Sequence, residues 1–434
     1  MIPSEIIARK RDGIALSRQE LTWFIEQFIN NELTNSQMAA MLMAIYFKGM
    51  TEDETIFLVE AMINSGATLD FSGNKKYVAD KHSTGGIGDK VSLILVPLLA
   101  CIGMTVPMIA GRGLEFTGGT IDKLESIPGF KTNPTLEQFS AWVKLNGCAI
   151  IGQTQQICPV DNKLYSLRNV TATVPSIPLI CSSIMSKKIA EGVQGLILDI
   201  KIGKGAFMKT IDQGQELGEW MYKIGKAFNL NTDIVFTSMD QPLGRFAGLR
   251  CEIIETMDCL NGNGPKDTME VVLELGSRLI LQAGLTDNIS SANDLLISHI
   301  ENGTADAKFR EMISCQGGDI EKCLSKVMKP EYEQSVTAYN DGFIHNMETE
   351  KIGWALVEMG CGHKSTHDEL DYSAGIEFLA KTGDRVKKDD PVYRVFSANN
   401  LRIEKAIEML KSTFSISKNK PEFSLILDST DVSL

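Results

Sequence analysis

The sequence has no CxxC pair, no regular ladder of cysteines and no apolar leader ahead of its first charges. Its nine cysteines are scattered singly. An odd, unladdered set without a signal peptide predicts a reducing, cytoplasmic compartment and excludes a disulfide-stapled secreted fold. A basic surplus is missing too: 43 Lys and Arg stand against 55 Asp and Glu, a formal net charge of -12. That excludes a general nucleic-acid binder or a protein that clings to anionic membranes, because both need a basic face. An anionic ligand has to be held by a local cluster. An unbroken membrane span is also absent. Val91 to Gly111 carries no charge, but Pro97, Gly103 and Pro107 interrupt it, which predicts a buried helix and then a buried strand. Neither a Walker A loop nor a GxGxxG fingerprint occurs, so ATP and NAD lose support.

What is present falls into three textures. Ser17 with Glu20 and Thr51 with Glu54 have capping-box spacing, and each precedes apolar residues at helical intervals. With the Met38, Met41, Leu42 and Ile45 segment between them, they predict a small helical unit. From Tyr77 onward short apolar strands alternate with helices. Strands are expected at Tyr77–Ala79, Val106–Ala110, Ala149–Ile151, Leu196–Ile200 and Ile234–Thr237, with helices from Val91, Ile121, about Leu179 and Glu252. This order predicts a mostly parallel α/β sheet whose ligand-bearing loops gather at the carboxyl ends of its strands. Residues 261–337 read as polar and helical. Phe378–Val395 reads as a hairpin-rich β segment, followed by a helix near Ile403–Leu410 and a strand at Phe423–Leu427. The fold class is therefore α/β: a small all-α domain, a large mostly parallel α/β domain and a C-terminal α+β domain.

Between Val78 and Thr120 two glycine-rich turns bracket the uncharged run. In the first, Lys81-His82-Ser83-Thr84-Gly85-Gly86 follows a strand, and Gly88 lies just before a helix. Glycines there free backbone N–H groups to converge on an anion, the helix N-terminus adds partial positive charge, and Lys81, Ser83 and Ser92 add donors. A plain tight turn fits the same glycines. The second turn, Gly111-Arg112-Gly113 and then Thr117-Gly118-Gly119-Thr120, repeats the pattern before another helix and strengthens the anion reading. His82, in a polar setting and with a near-neutral pKa, suits proton donation to a leaving group. Arg168 stands apart in LYSLRNVTATV, and Ser183 and Lys187 share a helix face at i, i+4. For Lys187-Lys188 a solvated face is the expected reading.

The segments DKHSTGGIGDKVS, PMIAGRGLEFTGGTIDKLESIPGF, IIGQTQQICPVD, SSIMSKKIAEG and LILDIKIGKGAFM closely resemble thymidine and pyrimidine-nucleoside phosphorylases. The resemblance runs over nearly the whole chain. It implies a homodimer and phosphorolysis of pyrimidine nucleosides to free base and (deoxy)ribose 1-phosphate, with inorganic phosphate as co-substrate and no cofactor. The implied domains are an all-α domain of residues 1–66 and about 163–193 for dimerisation and base binding, closing over a cleft with an α/β phosphate-binding domain. The α/β domain takes about 74–160 and 194–337, and a C-terminal domain takes 338–434. Lys81, Ser83, Ser92 and Thr120 are implied to hold phosphate. Arg168, Ser183 and Lys187 are implied to hold the pyrimidine, with His82 reaching its 2-oxo group; His82, Arg168 and Lys187 carry the catalysis.

Some positions depart from the family pattern. Ala110 replaces a phosphate-contacting Ser, Glu115-Phe116 replaces Gly-His, and Asn169 and Pro175 replace two Asp residues. They bear on substrate range, phosphate affinity and closure more than on reaction class. A bacterial branch binds potassium through equivalents of Gly88, Leu243 and Glu255 plus a threonine. Lys90 stands at the threonine position, so its ammonium is expected to replace the ion and pair with Glu255. Cys361, His363 and His367 have a metal-compatible spacing but no evident fourth ligand, and no metal is expected. The GDRVKKDDPV hairpin resembles lipoyl- or biotinyl-type β domains without a modifiable tip Lys, which favours a structural role. A phosphoribosyltransferase of the anthranilate type and a catalytically weak nucleoside-binding protein are the rival readings.

Overall fold

A computed structural model describes residues 1–71, 73, 75–113, 115–325, 330–363 and 368–427. The chain forms two compact units. One comprises Met1–Asp80, Gln153–Leu196 and Gln215–Asp233; the other comprises Lys81–Gly152, Ile197–Gly214 and Ile234–Leu434.

The first unit opens with four helices, α1 (Pro3–Arg11), α2 (Arg18–Ile29), α3 (Asn35–Lys48) and α4 (Glu52–Asn64). Both expected capping boxes form, at Ser17/Glu20 and Thr51/Glu54, and Thr34/Gln37 makes a third. The sequence pattern did not reveal α1, whose buried residues are only Ile6 and Lys10. A distant partner stabilises it: the Lys10 ammonium lies 2.7 Å from Glu54, and both side chains are buried. Apolar faces of these helices meet Val160 and Leu164 of a fifth helix and Leu179 of a sixth in one core. Gly66, just past α4, has to be glycine, because a Cβ there would sit 2.3 Å from the Gln156 carbonyl oxygen.

The second unit is built on β1 (Ala79–Ser83), α5 (Val91–Cys101), β2 (Val106–Ala110), α6 (Thr120–Glu125), α7 (Leu136–Asn146) and β3 (Cys148–Gly152). After α8 (Pro159–Val170) and α9 (Ile177–Ala190) of the first unit come β4 (Gly195–Ile202), α10 (Ile211–Ala227), which belongs to the first unit from Gln215 on, β5 (Asn231–Ser238) and α11 (Arg250–Leu260). One sheet has the order β1-β4-β5 and then the short strand Ile426–Leu427, which pairs antiparallel with β5. β2 and β3 pair in parallel from Val106↔Cys148 to Ala110↔Gly152. The uncharged run is mostly buried as expected, and every residue of α5 from Val91 to Ala100 is. It is packed by α11 and by the helices Lys266–Gln282, Ile289–Glu301 and Thr304–Cys315. Among the described residues no helix is long and apolar enough to cross a membrane.

Two boundaries differ from expectation for a physical reason. The first strand is Ala79–Ser83 rather than Tyr77–Ala79, so ladder pairing continues through the polar residues Lys81, His82 and Ser83. Tyr332–Thr337, expected as helical, is a strand lying antiparallel to Pro391–Ser397. Five of its six residues are exposed, so it has no apolar alternation to betray it. The hairpin-rich segment is present: Gly375–Phe378 pairs with Pro391–Ser397, and the Arg385–Val386 strand between them pairs with Gly342–Met347.

Candidate active site

The expected site residues fall into two groups, one in each unit. In the second unit β1 ends with Lys81, His82 and Ser83, the loop to α5 supplies Asp89 and Lys90, and the first turn of α5 supplies Ser92. Lys81 is buried, and its ammonium lies 3.6 Å from both Asp89 and Asp199 while donating to the Ser92 hydroxyl at 3.4 Å. Ser83 donates to Asp89 at 2.7 Å and accepts from the Gly85 amide at 3.2 Å. Lys201, on β4, pairs with Asp199 at 2.7 Å and reaches 3.9 Å from Asp89. Two ammonium groups, two carboxylates and two hydroxyls therefore form one network, buried except at the partly exposed Ser83. Burial opposes ionisation of Asp89, yet Lys81, Lys201 and Lys123, with the Ser83 hydroxyl, hold its pKa well below the usual carboxylate range. Burial likewise works against the Lys201 charge, and Asp199 with Asp89 overcomes it and raises the Lys201 pKa. His82, between Lys81 and Ser83 on β1, is partly buried and lies on the strand rather than in the loop.

Thr120 is the first residue of α6, directly after the extended Gly119. The two arms of this second turn approach so closely that a Cβ on Gly119 would sit 2.0 Å from the Gly113 amide nitrogen. Arg112 is bound by Asp122 and bidentately by Glu125, and the Gly113 amide donates to Asp122 at 2.7 Å. Lys123 in α6 pairs with Glu252 at 2.7 Å and donates to the Asp89 carbonyl at 2.6 Å, tying the two turns together. Of the atypical residues, Ala110 closes β2, and Glu115 is exposed with a left-handed φ of 53°. Phe116 is buried with its ring 5.8 Å from Phe207 and 6.1 Å from Trp354.

Lys90 occupies a separate pocket of polar oxygens. Its ammonium donates to the Leu243 carbonyl at 3.2 Å, the Phe246 carbonyl at 2.9 Å and Glu255 at 2.9 Å. Neither charged side chain is appreciably exposed. Gly88 closely approaches the same backbone, since a Cβ there would lie 2.3 Å from the Leu243 oxygen. Burial penalises the ammonium, and the Glu255 and Glu252 carboxylates reverse that and raise its pKa.

In the first unit Arg168 lies on α8, and Ser183 and Lys187 lie on α9. The Lys187 ammonium donates to Ser183 at 3.1 Å and pairs with Asp161 of α8 at 2.5 Å. Arg168 is buried and donates to the Leu179 and Val174 carbonyls at 3.1 and 2.7 Å. Burial pulls its pKa down against the opposing charges of Asp161 and Tyr165. The solvated-face reading of Lys187-Lys188 is overturned. Lys188 is buried and clamped by Asp80 at 2.5 Å and Glu191 at 2.9 Å, so the two lysines serve different carboxylates on different elements. Asn169 and Pro175 are exposed.

Three comparisons bear on what this arrangement belongs to. Residues 75–306 match the glycosyl transferase family a/b domain, and 4–66 match the helical bundle domain of that family. Residues 343–417 match the pyrimidine nucleoside phosphorylase C-terminal domain. A pyrimidine-nucleoside phosphorylase of Staphylococcus haemolyticus is 42% identical over 414 residues, covering 95% of each chain. This chain belongs to the pyrimidine-nucleoside phosphorylase family. One from Staphylococcus aureus is 40% identical with the same coverage. Anthranilate phosphoribosyltransferase from Thermus thermophilus superposes with a TM-score of 0.59 at 14% identity, over 72% of this chain and 99% of that one. At that identity the likeness is one of fold.

Sequence reasoning missed Asp89, Asp199, Lys201, Lys123 and Asp161 as members of these networks. Lys201 and Asp199 lie two apart on a strand, hence on one face, and that alternation inside an apolar run was the available signal. Of the weak metal trio, His367 lies outside the described residues, and among those described no three metal-ligating side chains cluster.

Proposed function

We propose that this chain catalyses the reversible phosphorolysis of pyrimidine nucleosides, with thymidine, deoxyuridine and uridine as candidate substrates. The products are the free base and (deoxy)ribose 1-phosphate. Identity of 40–42% over 95% of the chain to proteins named for that activity is the observation that carries the reading. In this reading Lys81, Ser83, Ser92 and Thr120 bind phosphate, the sole co-substrate, without a cofactor. The buried Lys81 and Ser92 of this network support that role, because charge–charge attraction is strong where water is excluded. Arg168, Ser183 and Lys187 hold the pyrimidine, and His82 approaches its 2-oxo group.

Phosphate attacks the anomeric carbon as the glycosidic bond breaks, the sugar gains oxocarbenium character and the departing base becomes anionic. Arg168 and Lys187 then meet charge that exists mainly in the transition state, where stabilisation accelerates the reaction most. The domain division given above, with base binding in the helical part, belongs to the same reading. So do a homodimer and a cytoplasmic setting. Exposed Tyr46 and Phe47 on α3 offer apolar surface for the former, and nine free cysteines suit a reducing compartment.

We further propose that Lys90 substitutes for a monovalent cation. Two carbonyl oxygens and a carboxylate around one buried ammonium support this, being the oxygen donors that a hard cation would take.

The test is release of uracil, thymine or cytosine from uridine, thymidine, deoxyuridine and cytidine with and without phosphate. Phosphate-dependent release supports the proposal; release without phosphate indicates a hydrolase and overturns it. Ala110, which offers no side-chain donor, and exposed Glu115 favour a second reading as a weakly active nucleoside binder. Tight nucleoside binding without turnover at saturating phosphate would select it. Activity that instead requires phosphoribosyl pyrophosphate and magnesium would select the phosphoribosyltransferase.

A further inference from the structure

Lys187 is not positioned by its own helix alone. Ser183, one turn back on α9, offers only a hydroxyl, whereas the charged partner comes from α8: Asp161, 2.5 Å from the ammonium. The Asp161 side chain is 2% exposed. Its Oδ2 also accepts from Gln153 at 3.3 Å, and its Oδ1 is buried with no hydrogen-bond partner among the described residues. A half-satisfied buried carboxylate is costly to fold, which makes a plain stabilising role a poor explanation for it. Arg168 lies two turns further along the same face of α8, and among the described residues no carboxylate comes within ion-pair distance of it. Of these two cations of the first unit, only Lys187 has a carboxylate partner among the described residues.

We propose that Asp161 is a positioning residue for leaving-group stabilisation: it fixes the Lys187 ammonium and releases it to the pyrimidine oxygen as negative charge builds there. The inference rests on the phosphorolysis reading. No bond is made to Asp161 and no proton need move; an ion pair in the resting site is exchanged for one with the departing base. The contribution of Asp161 is then greatest for bases that are poor leaving groups, because a more acidic base needs less help from Lys187.

The experiment measures kcat and nucleoside KM at saturating phosphate for the full chain and for Asp161→Asn, using uridine and 5-fluorouridine. Expected is a loss of kcat on uridine on the order of a hundredfold, a smaller change in KM, and a markedly smaller loss on 5-fluorouridine, with partial recovery in Asp161→Glu. Equal losses on both nucleosides would mark a merely structural role and overturn the inference. Lys187→Gln/Asp161→Asn, which removes both buried charges together, covers the case in which the single variant does not fold. That double variant should turn over uridine no more slowly than Lys187→Gln alone, and an additive further loss overturns the inference. Wild-type protein without phosphate-dependent base release overturns the phosphorolysis reading, and this inference with it.

Discussion

The ammonium of Lys90 and the carboxylate of Glu255 lie 2.9 Å apart with neither side chain appreciably exposed. Glu255 also accepts the amides of Arg245 and Phe246, each at 2.7 Å, so the pair fastens the 243–246 turn to the start of α5. Lys90→Met leaves Glu255 charged and uncompensated, and should destabilise the fold by about 3–5 kcal/mol in denaturant melts. Lys90→Thr opens room for an ion. Its melting temperature and turnover should rise in potassium chloride relative to choline chloride, while the wild type responds equally to both salts. Potassium-dependent wild-type turnover would remove Lys90 from this role.

Asp89 gives a pH dependence with a definite sign. Its folded pKa is depressed, because Lys81, Lys201 and Lys123 outweigh the burial penalty. The stability it supplies is therefore complete above its unfolded value near about 4 and is lost as pH falls below that. Denaturant melts between pH 6 and about 3 should show a shallower acid-side decline in Asp89→Asn than in the wild type. Parallel curves would mean that the carboxylate is not held by those lysines.

His82→Ala should keep the fold, since His82 is only partly buried at the end of β1. Loss of a general acid or hydrogen-bond donor to the leaving base should lower turnover by about 10²–10⁴-fold. Circular dichroism and a phosphorolysis assay on one sample check both halves. Undiminished activity excludes His82 from the reaction.

Glu54 closes the Thr51 box, accepts the Leu16 amide at 2.8 Å and neutralises Lys10. Glu54→Ala should cost well beyond the roughly 1 kcal/mol of an ordinary cap, nearer the roughly 3–5 kcal/mol of a broken buried pair. Thr51→Ala, which spares Lys10, should stay near the cap value. Equal losses in thermal melts would show that the Lys10 pair adds nothing.

Local signals made the core of this fold legible. The Ser17 and Thr51 boxes, the uncharged run that became α5 and the strand at Val106–Ala110 each announce themselves within a few residues. The glycine turns were legible for the same reason, because close backbone approach at Gly113 and Gly119 demands a residue without a side chain. Helix α1 and the Tyr332–Thr337 strand were not, since partners far along the chain define them. The candidate site divides the same way. Lys81, Ser83 and Ser92 could be read from one short stretch. Their carboxylate partners Asp89 and Asp199, and the second ammonium Lys201, were harder to assign, because no spacing rule says which charges on β1, its loop and β4 pair; only the alternation of Asp199 and Lys201 inside an apolar run marks them. Lys187 and Lys188 show the limit most directly: adjacent in sequence, they answer to Asp161 and to Asp80 with Glu191.

The pairing of Ile426–Leu427 with Thr237 and Phe236 has a consequence for synthesis on the ribosome. The Ser238 amide also waits for the Leu425 carbonyl, 2.8 Å away in the finished fold. At translation rates of about 5–20 residues per second, the outer edge of β5 stays open for on the order of ten seconds after it emerges. For that interval the nascent chain presents an apolar strand edge to its neighbours, the kind of template that recruits other chains. The closing strand lies far along the chain from β5, so the order of synthesis leaves this stretch of edge unpaired until residues 425–427 have emerged.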